Sequence, residues 1–200
     1  MTPSLTERAL PILHEWVQSD SLRKHCYAVS DSMRHFASLR GGDADADLWE
    51  AVGLLHDLDY EKYPNAGHDD TGGHPFVAAA WLRDRGWSDE ICRAILSHAD
   101  YSGVTRETPL ERTLYAVDEL SGFVMAVARV RPSKSLQEVE VPAVLKKMKD
   151  KAFARAVNRD DIVRGAIALG ISLEDSISGV ITALRADAAR LGLSGDSLSH

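Results

Sequence analysis

Residues 46–57, ADLWEAVGLLHD, combine a helical pattern with two side chains that suit a metal site. Apolar residues recur at steps of four and three through this stretch, at Leu48, Val52 and Leu55. This spacing predicts a helix with one buried face, ending in the pair His56-Asp57. Neighbouring helical residues point about 100° apart, so the two side chains can flank one point. An imidazole nitrogen binds one ion there, whereas the two oxygens of a carboxylate can bridge two.

Three more candidate ligands lie on apolar faces of other predicted helices. They are His25, His98 and Asp118. Each lies three or four residues along the chain from an apolar residue on the same helix face. A buried carboxylate such as Asp118 requires a cation, which either an arginine or a metal supplies. A lone buried histidine is more often a hydrogen-bonded core residue. Three inward-facing histidines and an inward-facing aspartate, spread over four helices, are hard to explain as core packing, and they predict a metal site.

A fourth histidine of the series lies at a predicted helix start. His74 directly precedes Pro75, a favourable first helical residue, although an exposed loop histidine is an equal alternative from its position alone. His68, in the loop 67–70, could replace it as a ligand. The other histidines are weaker candidates, at helix surfaces or the chain end: His14, His35 and His200. Imidazoles and carboxylates suit iron, manganese, zinc, cobalt or nickel, so a divalent metal is the expected cofactor.

Almost every segment has helical periodicity, and no alternating strand pattern stands out. Helices are predicted near residues 5–18, 21–40, 46–58, 75–85, 88–98, 109–130, 142–156, 159–169 and 172–191. Ser88 is the predicted N-cap of the fifth helix. We therefore expect a single all-α domain over residues 1–192, with residues 193–200 as a frayed tail.

Composition argues against several classes of partner. The chain has 200 residues, of which 44% are hydrophobic, and a formal net charge of -7. An acidic chain is a poor partner for nucleic acid or an anionic membrane. The start lacks the features of a secretory signal, and the longest apolar run, 122–128, is too short to span a membrane. Two cysteines, Cys26 and Cys92, do not form a disulfide framework, which fits a cytoplasmic protein.

Together the motifs resemble those of the HD superfamily of metal-dependent phosphohydrolases, over residues 21–131. The segments that carry the resemblance are LRKHCYAVS (22–30), LLHDLDYEKYP (54–64), GGHPFVAAAWLRDRGW (72–87), AILSHAD (94–100) and TLYAVDELSG (113–122). With KKMKDKAFARAVNRDDI (146–162), they are similar to a subgroup of small bacterial predicted HD hydrolases. The resemblance implies an all-α helical bundle with a metal site at its centre.

The resemblance also implies a ligand set. The residues that match the set for one metal are His25, His56, Asp57 and Asp118. His74 and His98 match the two further histidines of the dinuclear branch, in which Asp57 bridges two ions, iron or manganese first. The GYP signature of the cyclic-dinucleotide phosphodiesterases is absent. Tyr60 replaces the lysine of the inositol oxygenase group.

The expected activity is hydrolysis of a phosphate ester or anhydride of a small molecule or nucleotide, with a metal-activated water as nucleophile. Asp57 is one expected catalytic residue, and Asp59 is the expected general acid, although a solvated loop carboxylate is an equal alternative. Basic residues after the Asp118 helix are candidates for substrate binding or for a solvated face: Arg129, Arg131 and Lys134. Two other classes stay open, a mixed-valent di-iron oxygenase and a non-catalytic sensor of nucleotides or metals. The sequence does not predict an oligomeric state.

Overall fold

The computed structural model describes residues 3–39, 45–69 and 72–195. Within these ranges the chain forms nine α-helices and two short 3-10 helices, and it has no β-strand. The α-helices are α1 (Leu5–Trp16), α2 (Asp20–Leu39), α3 (Ala46–Leu55), α4 (Phe76–Asp84), α5 (Asp89–Ser97), α6 (Pro109–Arg129), α7 (Val141–Met148), α8 (Arg159–Leu169) and α9 (Leu173–Ala186). The 3-10 helices are Asp100–Ser102 and Leu136–Glu138. The prediction of an all-α fold is confirmed.

Several helices begin at side chains that satisfy their free backbone N–H groups. Ser4 and Glu7 form a capping box at α1, and Thr108 and Glu111 form another at α6. Ser88 caps α5 through its hydroxyl, as predicted. These N-cap side chains fix the residue at which each helix begins.

Helices α2 and α6 form the centre of the bundle, because α2 packs against α3, α6 and α9, and α6 also packs against α8. A Cβ atom at Gly53 would lie 2.5 Å from Ser30 Cα, and one at Gly165 would lie 2.5 Å from Ala116 Cα. Only glycine fits at these two crossings without a backbone shift. The first crossing holds the end of α3, which leads to the His-Asp pair, against α2.

The predicted ends of two helices are wrong. α7 ends at Met148 rather than residue 156, and α9 ends at Ala186 rather than residue 191. After α7 the Arg159 guanidinium donates hydrogen bonds to the carbonyl oxygens of Asp150, Phe153, Ala154 and Val157. In a longer helix these carbonyl oxygens would accept hydrogen bonds from backbone N–H groups four residues later. Because they accept from Arg159, residues 149–157 form turns instead.

The prediction of a frayed tail is wrong for its first residues. Leu193 is only 2% exposed, and its carbonyl accepts a hydrogen bond of 2.9 Å from Leu136 N–H. Ser194 forms an isolated bridge with Ser135. Residues 196–200, including His200, lie outside the described part of the chain. The assignment of residues 1–192 to a single domain stays a prediction.

Among the described residues, no single helix has the length and apolar character needed to cross a membrane. α8 and α9 meet that test only when they are joined, and the pair is bent by 98°.

Candidate metal centre

Six side chains from five helices or their ends converge at the centre of the bundle. They form two groups, one of His25, His56 and Asp118 and the other of Asp57, His74 and His98. Within each group the ligand atoms lie within 4.8 Å of one another. His56 and His98 are the C-terminal caps of α3 and α5, which places their imidazoles at helix ends that face each other. The structure thus brings together all six residues predicted as ligands.

The first group has the spacing of donors that share one cation. His25 Nε2 lies 3.0 Å from Asp118 Oδ1, and His56 Nε2 lies 3.4 Å from the same oxygen. The two Nε2 atoms are 3.3 Å apart. Donors that each lie ~2.1 Å from one ion are separated by roughly 3 Å, so these three atoms fit around a single metal.

Asp57 belongs to the second group but also faces the first, with one carboxylate oxygen toward the histidines of each. Its Oδ2 is 3.6 Å from His25 Nε2 and 3.5 Å from His56 Nε2. Its Oδ1 is 3.6 Å from His74 Nε2 and 3.7 Å from His98 Nε2. A carboxylate in this position can bridge two cations, as the resemblance to the dinuclear branch implies.

Hydrogen bonds on the outer side of the histidines point their Nε2 atoms inward. Nδ1 of His56 is 2.8 Å from the Gly53 carbonyl oxygen, and Nδ1 of His98 is 2.5 Å from the Ile95 carbonyl oxygen. Because a carbonyl only accepts, both Nδ1 atoms carry the proton. When the rings are neutral, as metal binding requires, their Nε2 lone pairs therefore face the centre, the arrangement expected of metal ligands.

Asp59 holds the third of these histidines and does not face the centre. Its side chain is fully buried, with Oδ1 2.8 Å from His74 Nδ1 and Oδ2 accepting a 2.7 Å hydrogen bond from Ala78 N–H. Both carboxylate oxygens are thus occupied behind the ligand. The expectation that Asp59 is the general acid is not supported by this placement and stays a prediction.

The chain around His74 is fixed by contacts that sequence reasoning missed. The His74 carbonyl accepts hydrogen bonds of 2.9 Å from Asn65 Nδ2 and 2.8 Å from Tyr101 Oη. A Cβ atom at Gly73 would lie 3.0 Å from the Tyr63 carbonyl oxygen, so the loop packs tightly there. Asn65, after a proline, carries a weak turn signal. Nothing in the sequence pointed to Tyr101.

Other predicted residues lie away from the centre. Arg129 ends α6, eleven residues and about 16 Å along the helix axis from Asp118. Arg131 pairs with Glu138 in the following segment, and Lys134 is exposed beyond it. This placement does not favour the predicted substrate clamp at Arg129, Arg131 and Lys134, which stays a prediction.

His68 does not substitute for His74 as a ligand. Its ring stacks on Tyr101, with the ring centroids 4.2 Å apart and the planes at 2°. It belongs to neither group of ligand atoms.

The electrostatics of the centre favour positive charge. Burial opposes protonation of His56, but the charges of Asp57 and Asp118 outweigh it and raise the pKa of His56 to about 9. Burial would raise the pKa of Asp118, but the charge of His56 and hydrogen bonds from His25 and His56 lower it well below its usual range. Both carboxylates are thus ionised, and protons or divalent cations balance them.

The donor chemistry fits a metal that prefers nitrogen and oxygen ligands. Burial, followed by the charges of Asp57 and Asp118, raises the pKa of the neighbouring Cys26 well above its usual value. Its thiol therefore stays neutral and is a poor ligand. Four imidazoles and two carboxylates suit iron, manganese, zinc, cobalt or nickel. With at most four donor residues at either position, room remains for water or substrate.

The centre opens to solvent on the side of the first group. The side chains of His25 and Asp118 are 21% and 20% exposed, whereas His56 is fully buried. An open pocket of about 370 Å³ borders the centre on this side. It is lined by Ser19, Ser21, Leu22, His25, Tyr60 and Glu61. The first group is therefore accessible to solvent through this pocket.

Comparison with known proteins identifies the family. The family model of the HD domain matches residues 22–122, which include all six clustered side chains. No curated protein and no solved structure matches the chain. Since the matched residues make up half of the sequence, the chain belongs to the HD domain family.

Proposed function

We propose that the protein hydrolyses a phosphate ester or anhydride of a small molecule or nucleotide, with two divalent cations as cofactors. The observation that carries this proposal is the position of Asp57. Its two oxygens face separate groups of ligands, 3.5–3.6 Å from the first and 3.6–3.7 Å from the second. Membership of the HD domain family, whose members are generally hydrolases, supports it.

The cofactor would be held by the chain's own six ligands. His25, His56 and Asp118 would hold one ion, His74 and His98 the other, and Asp57 both. Bound there, two divalent cations supply Lewis acidity that lowers the pKa of water and neutralises phosphoryl oxygens. Iron or manganese is our first choice, and zinc, cobalt and nickel also suit the donors.

The reaction we propose is direct transfer of the phosphoryl group to water. The water oxygen forms a bond to phosphorus, the bond from phosphorus to the leaving oxygen breaks, and the leaving oxygen ends with a proton. His25 and Asp118 border the opening, so the phosphoryl group would enter beside them. The buried ligands His56, His74 and His98 exclude water from the opposite side of the centre.

We propose that the protein is a cytoplasmic enzyme and that its substrates are small molecules. A net charge of -7 disfavours nucleic acid and anionic membranes as partners. Both cysteines are free and buried, which suits a reducing compartment.

Metal content and turnover of an Asp57 variant test the proposal. Protein purified without oxygen should contain close to two metal ions per chain and should release phosphate from phosphate esters. Asp57→Asn should lose most of the bound metal and all turnover, because the neutral amide keeps only one oxygen donor and can no longer bridge the two positions. Asp84→Asn, at an exposed aspartate that ends α4, is the matched control and should change neither.

Two results would replace the proposal with its alternatives. Turnover that requires oxygen would identify a di-iron oxygenase, whereas hydrolysis proceeds equally well without it. A nucleotide that binds to the metal-loaded protein but is never converted would identify a sensor. Full activity in Asp57→Asn would show that the metal site is assigned wrongly.

A further inference from the structure

We propose that the pocket beside His25 binds the organic part of the substrate, and that this part is uncharged, mainly apolar and attached to a single phosphoryl group. This inference rests on the proposed function and names its substrate class. It favours small organic phosphate esters over pyrophosphate, nucleoside triphosphates and other polyphosphates.

The pocket is continuous with the candidate metal centre. His25 contributes Nε2 to the first ligand group and also forms part of the pocket wall. A phosphoryl group at the ligands would therefore place its leaving group in this pocket. At about 370 Å³, the pocket is at the small end of the range for sites that bind small molecules.

Two side chains give the wall its apolar surface. Tyr60 is 55% exposed although its ring is large, and the ring meets His74 edge to face, with centroids 5.2 Å apart. Leu22 lines the same pocket. An exposed aromatic ring held against a candidate ligand offers a stacking surface for a planar or apolar group.

The polar groups of the wall do not favour an anion. Glu61 Oε2 accepts hydrogen bonds of 3.2 Å from Gln18 N–H and 3.0 Å from Ser19 N–H, which anchors a carboxylate beside the pocket. Ser19 and Ser21 contribute hydroxyls, 2.7 Å apart. No lysine or arginine lines the pocket in the described part of the chain. A second phosphate there would meet a negative charge and no basic partner.

Nearby cations on α2 are already engaged. Arg23 donates hydrogen bonds to the carbonyl oxygens of Val17 at 2.6 Å and His14 at 2.9 Å. Lys24 pairs with Asp20 at 2.8 Å. Neither side chain lines the pocket, and each has another partner in the structure.

Binding of phosphonates tests the pocket without turnover. Calorimetry on the metal-loaded protein should show that phenylphosphonate binds about tenfold more tightly than methylphosphonate, because only the former reaches Tyr60. Tyr60→Ala should abolish that difference, and Tyr60→Phe should preserve it. Equal affinities in the wild type, or an unchanged difference in Tyr60→Ala, would overturn the inference.

A charge placed in the wall tests the exclusion of polyphosphates. Wild type should have a kcat/KM for phenyl phosphate at least about tenfold above that for pyrophosphate. Ser21→Lys should narrow this ratio about tenfold by supplying a partner for the second phosphate. Ser178→Lys adds the same charge at an exposed serine of α9 and should leave the ratio unchanged.

The failures of the two proposals are distinguishable. Preference for pyrophosphate in the wild type would overturn the substrate class while leaving a phosphohydrolase in place. Absence of hydrolysis with every phosphate compound, in protein that contains two metal ions, would overturn the proposed function. The difference in affinity between phenylphosphonate and methylphosphonate tests the pocket in either case, because it does not depend on turnover.

Discussion

The position of Asp59 shows how a single side chain can act through a ligand. Its Oδ1 lies 2.8 Å from His74 Nδ1, and its Oδ2 accepts the backbone N–H of Ala78 at the start of α4. The carboxylate fixes the proton on Nδ1, so that Nε2 keeps its lone pair for the centre. Through the hydrogen bond that it accepts from Ala78 N–H, the same carboxylate also fixes the His74 ring relative to the first turn of α4. We therefore infer that Asp59 positions His74.

Loss of Asp59 should therefore affect one metal position and not the other. In Asp59→Ala, affinity at the position of His74 and His98 should fall about 10- to 100-fold, while affinity at the position of His25 and His56 stays unchanged. Metal titration followed by elemental analysis measures both. Asp84→Ala controls for loss of an exposed carboxylate. Unchanged metal affinity, with loss of one limb of the pH–rate profile, would instead make Asp59 the proton donor expected from the sequence.

Residue chemistry and helical spacing singled out five of the six side chains that the structure brings together, and the resemblance to the HD superfamily was needed to add His74. His25, His98 and Asp118 each lie on an otherwise apolar helix face, where a polar side chain needs an explanation. The role of Asp59 was not predictable, because its partners depend on a loop whose path the sequence does not define. The substrate clamp is a weak prediction for a related reason, since spacing along α6 gives the direction of a side chain but not its distance from a site.

At the scale of the helices, the first metal position depends on one close crossing. Gly53 of α3 meets the backbone of Ser30 in α2, where an added Cβ would lie 2.5 Å from Ser30 Cα. The Gly53 carbonyl also accepts the hydrogen bond from His56 Nδ1. A backbone shift at Gly53 would therefore move a ligand as well as a helix.

Gly53→Ala should lower stability and metal binding together. Overpacking at this crossing should reduce the free energy of unfolding by about 1–3 kcal/mol, measured by urea denaturation. Gly122→Ala is the matched control in α6, because its Cβ would meet His25 Nδ1 at an ordinary 3.6 Å and the helix gains from alanine. Gly53→Ala with the stability and metal content of the wild type would show that the helices are not in tight contact here.

Periodicity and capping residues predicted all nine helices of the described chain. They did not predict the C-terminal ends of α7 and α9. α7 and α9 were predicted to be longer because the residues after them are good helix formers. After α7, the Arg159 side chain competes for the backbone carbonyls of residues 150–157. Such a tertiary contact is not visible in local sequence.

At the scale of the whole molecule, a buried charge joins α2 to the segment after α9. Asp31 Oδ1 accepts a 2.8 Å hydrogen bond from Arg190, while its Oδ2 is buried with no partner among the described residues. Burial outweighs the attraction of Arg190 and Arg34 and raises the pKa of Asp31 from 3.8 to about 7. The native state therefore holds a proton that the unfolded chain releases at lower pH.

This proton makes stability depend on pH in a defined direction. Between about pH 4 and pH 7 the folded protein binds one more proton at Asp31 than the unfolded chain, so the free energy of unfolding falls as pH rises. The stability difference between wild type and Asp31→Asn should decline by up to about 4 kcal/mol over this window and be flat above it. Denaturation at several pH values measures it, with Asp84→Asn as control. A constant difference would mean that Asp31 is ionised throughout.

The segment after α9 should contribute to stability as far as Ser194, although its composition predicts fraying. Leu193 is 2% exposed, its carbonyl accepts the N–H of Leu136, and its own N–H donates to the Ala188 carbonyl at 2.8 Å. Removal of residues 193–200 should therefore cost about 2–5 kcal/mol, the range for deletion of a buried leucine side chain. Removal of residues 196–200 alone leaves these contacts intact and is the matched control. Equal stability of the two truncated proteins in urea denaturation would support the frayed tail that the sequence predicts. A large difference would show that burial of Leu193 orders a segment rich in glycine and serine.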